Sequence, residues 1–408
     1  MATEFNMTTM AAVLKERYTS YLLKEIYENR PLFGMIPKRT DWTGDNLKVP
    51  VQIGNASANS ATFTTAQSNQ YAAVYRAFTP SRVTMYQLAR LDRQTMLATR
   101  NDEGAFFRAA TRAMDDAVNG LVERLCGQMF RKTTGSIGQI SGSVTSGVVY
   151  LADPESISNF NIGDVILAYQ TDGGTAEAGT GYVLKVDRDP VTPSITVSAT
   201  SVSGSAGTPS GWSDGDYLAP AGTVNLTMAG LSDYIPTTAP TSGDSFLGVD
   251  RSIDPVRLAG NRVNGTGMPL EEALNAIFTA VGKQGGRPDA FVTNYTTYNG
   301  LLNALGSRAI SVEMSGPAGI SYSGVRYNAP TGPVKIWADP FCPGNIGYAL
   351  QTNTWELASL DKAPHIVDDD GMGWFRVYNA DASEVRVNFY GNMVCYAPGK
   401  NGVVQTAI

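Results

Sequence analysis

The sequence NDEGAFFRAATRAMDDAVNGLVERLCGQMFRK, residues 101–132, decides how this chain is organised. Its apolar residues recur every three or four positions, which predicts a single amphipathic helix, and Asn101 or Asp102 is suited to cap its first turn. About 30 residues at 1.5 Å each would span roughly 45 Å, a length that suits the spine of an elongated molecule. The predicted apolar face comprises Phe106, Phe107, Ala110, Ala113, Met114, Ala117, Val118, Leu121, Val122, Leu125, Met129 and Phe130.

The segment before this helix has the pattern of a long β-hairpin. Around residues 47–53, apolar and polar residues alternate, and residues 71–85 are rich in Tyr, Val, Thr and Phe, so both runs read as strands. Between them, GNASANSATFTTAQSNQ (residues 54–70) is small, polar and uncharged, which predicts a flexible tip. We expect no partner for this hairpin in its own core, so it is either disordered in solution or covered by a neighbouring molecule.

The N-terminal segment is predicted to contain another helix. Residues 11–29 carry apolar residues at helical spacing, and Arg30-Pro31 ends the pattern because a residue before proline avoids helical geometry. LFGMIP, residues 32–37, then reads as an apolar extended linker. The first ten residues lack the basic-then-apolar pattern of a signal peptide.

The segment after the long helix, residues 135–222, has few helix formers and many Gly, Ser, Thr and Asp residues. Short strand candidates separated by turn signals predict a small sandwich or barrel, inserted as an all-β domain. The strand candidates are residues 144–151, 164–169, 181–186 and 194–199.

The remainder of the chain is predicted to be mixed α/β. Residues 269–281 have the features of a helix N-terminus, with Pro269 in the first turn and two glutamates where the helix dipole favours negative charge. Asn294 is suited to cap a further helix through residue 305, which Gly306 would close. Predicted strands are residues 290–293, 334–338, 347–350, 355–357, 374–378, 384–389 and 393–396.

The composition argues against several functional classes. The 408 residues are 43% hydrophobic, enough for a buried core in about two to three domains. A net charge of −6 gives no sign of the basic surface of a nucleic-acid-binding protein. Only 17% of residues are charged, against about 25% in typical domains, which fits either extensive subunit contacts or a β-rich chain with many Ser, Thr and Asn.

Metal, disulfide and membrane chemistry are also poorly supported. Three cysteines lie far apart in the sequence, and His365 is the only histidine, so neither a disulfide framework nor a zinc site is indicated. No stretch approaches the ~18 consecutive apolar residues of a membrane helix. The cysteines are Cys126, Cys342 and Cys395.

The candidate catalytic or binding residues do not form a persuasive constellation. His365 lacks a GxSxG partner motif and reads as a surface or packing residue. GGTAEAGTG, residues 173–181, lacks the Lys-Ser/Thr pair of a phosphate loop and is interpreted as a flexible loop. The consecutive aspartates at 368–370 do not match a calcium loop, which favours a solvated turn. Three arginines could bind a neighbour's carboxylates or packaged DNA, or form ordinary surface salt bridges: Arg251, Arg257 and Arg262. We therefore predict no catalytic, cofactor or metal site.

The order of these segments resembles the major capsid proteins of tailed bacteriophages with the Hong Kong 97-type fold. Two stretches add to the resemblance, RPLFGMIPKRTDWTGDNLKVPV (residues 30–51) and VKIWADPFCPGNIGYALQTNTWEL (residues 334–357). The resemblance implies an α+β capsid fold in five parts. These are an N-arm (1–40), an extended loop (41–90), a peripheral domain with the spine helix (91–134), an inserted β-barrel or sandwich domain (135–222) and an axial domain with returning peripheral-domain strands (223–408).

The resemblance also implies a function without enzymatic activity or cofactor. Members of this family form hexamers and pentamers that tile an icosahedral shell around double-stranded DNA, and the extended loop lies across a neighbouring subunit. We therefore expect a virion protein, assembled in the host cytoplasm, whose main partner is itself. Portal, scaffolding and decoration proteins are candidate partners, whereas sequence-specific DNA binding and membrane contact are not expected. The N-arm begins almost at Met1, so any scaffold is expected to be a separate protein, and the inserted domain is expected to face outward.

One departure from some family members concerns cross-linking. Those members join subunits covalently through a lysine on the extended loop, but no lysine lies between Lys48 and Lys132. We therefore predict a shell without covalent cross-links. Two alternative readings remain at this stage: an encapsulin-like compartment that encloses a protein cargo, and a β-rich carbohydrate-binding or adhesive protein, which would leave the hairpin and the long helix without a purpose.

Overall fold

The computed structural model describes residues 30–94, 103–305, 311–315, 321–368 and 373–406. The predicted N-terminal helix, the capping residues Asn101 and Asp102, and Gly306 lie outside the described residues, as do the side chains of Phe106, Phe107 and Ala110.

The described residues form six α-helices and 23 strands. The helices are α1 (Pro31–Met35), α2 (Phe63–Ser68), α3 (Glu103–Phe130), α4 (Leu231–Tyr234), α5 (Leu270–Lys283) and α6 (Tyr295–Leu305). The strands are β1 (Lys38–Arg39), β2 (Val49–Gly54), β3 (Val74–Phe78), β4 (Val83–Asp92), β5 (Gly138–Thr145), β6 (Val148–Leu151), β7 (Val165–Tyr169), β8 (Ala176–Asp187), β9 (Ser194–Ser198), β10 (Tyr217–Pro220), β11 (Ser245–Phe246), β12 (Val249–Asp250), β13 (Asn261–Gly265), β14 (Ala290–Thr293), β15 (Ser311–Ser315), β16 (Ser321–Ala329), β17 (Gly332–Ala338), β18 (Ile346–Leu350), β19 (Trp355–Ser359), β20 (His365–Ile366), β21 (Phe375–Arg376), β22 (Ala382–Cys395) and β23 (Gly402–Thr406).

The predicted long helix is confirmed as α3, whose 28 residues span about 42 Å. One face of the helix packs against β4 and β22. Its buried residues follow the predicted apolar pattern: Met114, Ala117, Val118, Leu121, Val122, Leu125, Cys126, Met129 and Phe130. This face belongs to the main hydrophobic core of the molecule.

A six-stranded sheet is built around β22. Along one edge of β22, β4 pairs antiparallel over ten residues; along the other edge lie β19, β20 and β21, and β1 adds in parallel to β19. The predicted strands 384–389 and 393–396 are a single strand. A Cβ at Gly391 would lie 2.2 Å from the Ala358 carbonyl oxygen, so the glycine permits close pairing in mid-strand. The strand predicted at 374–378 is only the two residues of β21.

A seven-stranded sheet has the order β13-β23-β18-β14-β17-β16-β15. Helix α5 packs against β13 and β23, and its predicted residues Leu274, Ile277, Phe278 and Val281 are buried there. The strand predicted at 290–293 is β14, and the Asn294 side chain accepts a hydrogen bond from the Thr297 amide at 2.6 Å, which confirms the predicted cap of α6. The sequence interpretation did not identify β13, β15, β16 or β23.

A closed barrel has the strand order β10-β5-β6-β9-β8-β7. The strand predicted at 144–151 is instead a hairpin, because Ser146 and Gly147 adopt φ values of 52° and 77° and make the two-residue turn between β5 and β6. The loop predicted at 173–181 is also wrong, since β8 begins at Ala176. Small residues there permit close packing: a Cβ at Gly181 would lie 2.4 Å from the Trp212 ring. The boundaries of the five-part division stay a prediction.

Candidate inter-subunit surface

The arm, residues 49–78, is a hairpin in which β2 and β3 pair antiparallel from Val49 opposite Phe78 to Gly54 opposite Val74. The two strands form a separate two-stranded sheet. The tip of the arm, residues 55–73, contains helix α2, which the sequence interpretation did not identify; its flexibility stays a prediction. Its polar residues form this turn of helix by local bonds, including the Asn69 amide to the Thr65 carbonyl at 3.0 Å.

The base of the arm is buried in the main core of its own chain. Phe78 is 1% exposed, and its ring packs edge-on against Tyr234 and Phe246, with centroids 6.1 and 5.9 Å away. Val49 and Val51 are buried beside it. The prediction that the arm finds no partner in its own core is therefore wrong for the base, because alternating apolar residues give β2 one buried face.

Hydrogen bonds from outside the hairpin hold this base. Thr79 donates from its amide and its hydroxyl to the Leu247 carbonyl oxygen, at 3.0 and 2.9 Å. Leu247 lies in the turn between β11 and β12. The Arg257 guanidinium donates to the carbonyl oxygen of Ile53. These contacts fix the direction in which the arm leaves the body of the molecule.

The outer part of the arm exposes large aromatic side chains in a segment without charge. Phe63 is 82% exposed, Tyr71 63% and Tyr75 57%, and residues 49–75 contain no Asp, Glu, Lys or Arg. Exposed aromatic residues and depletion of charge characterise the centres of protein–protein interfaces. The arm therefore has the surface chemistry of a segment that contacts another protein.

Strand β4 exposes a second apolar surface. Tyr86 and Leu88 point to the same side of β4 and are both exposed, and the Tyr86 ring contacts that of Tyr390 at 5.8 Å. Among the described strands, β4 pairs with β22 alone. Its other edge presents backbone groups that can pair with a further strand.

The three arginines singled out in the sequence make contacts within the chain. Arg251 is 7% exposed and binds both carboxylate oxygens of Asp244, at 3.1 and 3.0 Å. Arg262 donates to three backbone carbonyls, those of residues 236, 255 and 259. Arg257 binds the arm and also forms a surface ion pair, one of the alternatives predicted for it. Its Nε lies 3.7 Å from the Asp254 carboxylate.

The remaining candidate residues are not brought together into a reactive group. His365 lies in β20, where its Nδ1 is 3.5 Å from the Asp361 carboxylate. Asp369 and Asp370 lie outside the described residues. In the described part of the chain, no three His, Cys, Asp or Glu side chains are placed to hold a metal ion. The three cysteines are free and buried, and burial raises the thiol pKa of each.

Two buried carboxyl groups were not identified from the sequence. Burial raises the pKa of Asp339 to about 6, although its carboxylate accepts hydrogen bonds from the amides of Phe341 and Leu32. Burial likewise raises the pKa of Asp233 to about 6, although its carboxylate accepts a hydrogen bond from the Thr133 amide at 2.5 Å, which lowers the pKa. An aspartate buried by tertiary contacts carries no local sequence signal, so only the fold could have shown them.

None of the helices in the described ranges combines the length and apolar character needed to cross a bilayer. This finding concerns helices α1 to α6, whose longest member, α3, contains charged residues such as Asp116, Glu123 and Arg124.

Comparison with known proteins places the fold. No protein-family model matches the chain, and no curated protein matches its sequence. Among solved structures, the chain is similar to a chain of the Cyanophage A-1(L) capsid asymmetric unit, with a TM-score of 0.56, 11% identity and 92% of each chain covered. This similarity confirms the predicted α+β fold of a phage capsid protein.

Two further solved structures are similar over most of the chain at lower scores. The capsid of Myoviridae Phage XM1 gives a TM-score of 0.44 at 9% identity, covering 92% of this chain and 91% of that chain. The holo-SrpI encapsulin complex from Synechococcus elongatus PCC 7942 gives a TM-score of 0.45 at 8% identity, covering 92% of this chain and 86% of that chain.

Proposed function

We propose that this chain is the major capsid protein of a tailed bacteriophage, which assembles into the hexamers and pentamers of an icosahedral head around double-stranded DNA. The observation that carries the proposal is the arm, whose base is fixed in its own core and whose outer part exposes aromatic rings without charge. The capsid fold supports the same conclusion. In the assembled shell, the tip of the arm lies on a neighbouring subunit.

The shell role requires complementary surfaces and no chemical reaction, so the proposed protein is not an enzyme and needs no cofactor. The arm carries no lysine, so it cannot supply the amine of an isopeptide bond to a neighbouring subunit. The proposed shell is therefore held by non-covalent contacts. Burial of exposed rings such as Phe63 would supply about 1.5–3 kcal/mol each, repeated at every copy of the contact.

The proposed location is the virion, after assembly in the host cytoplasm. The chain encloses DNA without sequence-specific contacts, in keeping with its net charge of −6, since binding to phosphates is dominated by Lys and Arg. Portal, scaffolding and decoration proteins are proposed as additional partners of the shell.

An arm-replacement variant tests this proposal. The purified protein is expected to form closed shells visible by negative-stain electron microscopy. Replacing residues 55–73 with a Gly/Ser linker should leave the thermal unfolding temperature of the free subunit nearly unchanged and abolish shells. The matched control replaces residues 189–192, an exposed loop of the barrel, and should still assemble. Normal shells from the arm variant would contradict the assigned role of the arm.

The contents of native particles test whether the shell encloses DNA or protein. Nuclease-protected double-stranded DNA is the expected cargo. Particles that hold a single enriched protein and no protected DNA would instead support a compartment of the encapsulin kind.

A further inference from the structure

The barrel is joined to the rest of the molecule at one place in the chain. The incoming and outgoing segments are bonded to each other there: the Thr227 hydroxyl donates to the Thr133 carbonyl at 3.0 Å, and the Gln128 amide group donates to the Thr227 hydroxyl at 2.8 Å. A domain joined only in this way could swing about the junction. Any contact made far from the junction therefore restricts that motion.

Such contacts come from the short 3-10 helix Pro154–Asn159, which connects β6 to β7. On one side it meets the long helix α3. Arg124 donates to the Asn159 carbonyl at 3.0 Å and lies 2.5 Å from the Asp164 carboxylate. The side chain of Asn161 donates to the Glu123 carboxylate at 3.1 Å. Charge-assisted bonds of this kind are about twice as strong as neutral ones.

On its other side the same 3-10 helix meets the loop between β17 and β18 of the seven-stranded sheet. Asp153 accepts a hydrogen bond from the Gly344 amide at 3.0 Å, and the Ser158 hydroxyl donates to the Pro340 carbonyl at 2.9 Å. A Cβ at Gly344 would lie 2.3 Å from the Asp153 carboxylate, so this approach is closely fitted. The Thr296 hydroxyl, at the start of α6, donates to the Glu155 carboxylate.

We propose that these two sets of contacts form a brace, which holds the barrel in one orientation on the rest of the subunit, against α3 through Arg124 and against the seven-stranded sheet through Asp153. Ser156 and Asn159, the polar residues between them, are buried, so water does not replace these bonds at low cost. The brace is a property of the single subunit and does not depend on the proposed shell function.

The brace predicts a fixed distance between the barrel and α3, which spin labels can measure. Exposed positions for the labels are Asp116 on α3 and Ser143 on β5 of the barrel, and the native cysteines are buried, so labelling at D116C and S143C should be selective. Pulsed electron resonance on the full-length free subunit should give a narrow distance distribution. Arg124→Gln and Asp153→Asn should each broaden it, because each weakens one side of the brace. Asn still supports the 3-10 helix as its N-cap.

Arg188→Gln is the matched control, because Arg188 makes a similar bond, to the Phe160 carbonyl at 3.0 Å, inside the barrel. It should leave the distribution narrow. Should circular dichroism show a brace variant to be unfolded, Ser158→Ala takes its place with the same expected broadening, because it removes the hydroxyl that donates to the Pro340 carbonyl. A folded double variant at Arg124 and Asp153 whose distribution matches the parent would overturn the proposal.

Discussion

Protonation of Asp339 should stabilise the folded subunit, contrary to the usual effect of acid on a bonded carboxylate. The side chain is 1% exposed and accepts hydrogen bonds from the amides of Phe341 and Leu32, at 3.0 and 3.4 Å. These bonds and the charge of Arg30 lower its pKa, but burial raises it by more, from 3.8 to about 6. Desolvation therefore dominates, and the charged form is disfavoured in the folded state.

The direction of the pH dependence follows from this raised pKa. Below about pH 4 the carboxyl is protonated in both the folded and the unfolded chain, and its full contribution to stability is present. As the pH rises above about 4, the unfolded chain releases the proton first, which favours unfolding. The stability is therefore lost progressively until the pH passes the folded-state pKa of about 6. A rise of about two pKa units corresponds to roughly 3 kcal/mol.

Urea denaturation of the free subunit between about pH 4 and pH 7 measures this contribution. Asparagine does not titrate, so the difference between the parent and Asp339→Asn isolates the carboxyl from all other groups. As the pH falls from about 7 to 4, the unfolding free energy of the parent should rise by about 3 kcal/mol relative to that of the variant. Asp41→Asn is the control, because Arg39 lowers the pKa of Asp41 from its usual value of 3.8; the contribution of Asp41 is lost only below about pH 4, so this variant should stay parallel to the parent in the measured range. Parallel curves for the parent and Asp339→Asn would refute the reasoning.

Further predictions concern the arm and one buried amide. Phe78→Ala should lower the free energy of unfolding by about 3–5 kcal/mol, whereas Tyr75→Ala should change it by about 0.5 kcal/mol or less; urea denaturation measures both. Asn401→Ala should cost about 3 kcal/mol, because the Trp355 indole and the Gln351 amide lose their acceptor, and thermal unfolding would detect this loss. Purified particles boiled with reductant should run as monomers in SDS electrophoresis, because the arm carries no lysine; a ladder of oligomers would contradict a non-covalent shell.

The elements that could be predicted are those whose packing follows from local periodicity. Helices α3 and α5 each bury one continuous face, and β14 is a short apolar run between turn residues. In these segments the hydrophobic pattern and the tertiary contacts agree. The capsid fold could be anticipated for the same reason, since it rests on the order of such elements.

The features that were missed depend on contacts between distant residues. Residues 71–85 read as one strand, but β3 belongs to the arm and β4 to the six-stranded sheet, with Pro80 between them. Asn401 is buried and accepts a hydrogen bond from the Trp355 indole, which the sequence around Asn401 does not indicate. The burial of Phe78 required the hairpin of β11 and β12, about 170 residues away. Local sequence patterns do not indicate such contacts, because the fold brings together residues that are far apart in the sequence.

The arm combines a fixed base with an exposed tip, and the two properties act together. Aromatic packing of Phe78 and hydrogen bonds from Thr79 and Arg257 set its direction before any partner binds. Association must overcome the entropy of every segment that becomes ordered, so an arm already held in position loses less freedom on contact. The exposed ring of Phe63 can then contribute its burial to binding. A subunit that repeats this contact with several neighbours gains the same advantage each time, which favours a shell component over a solitary protein.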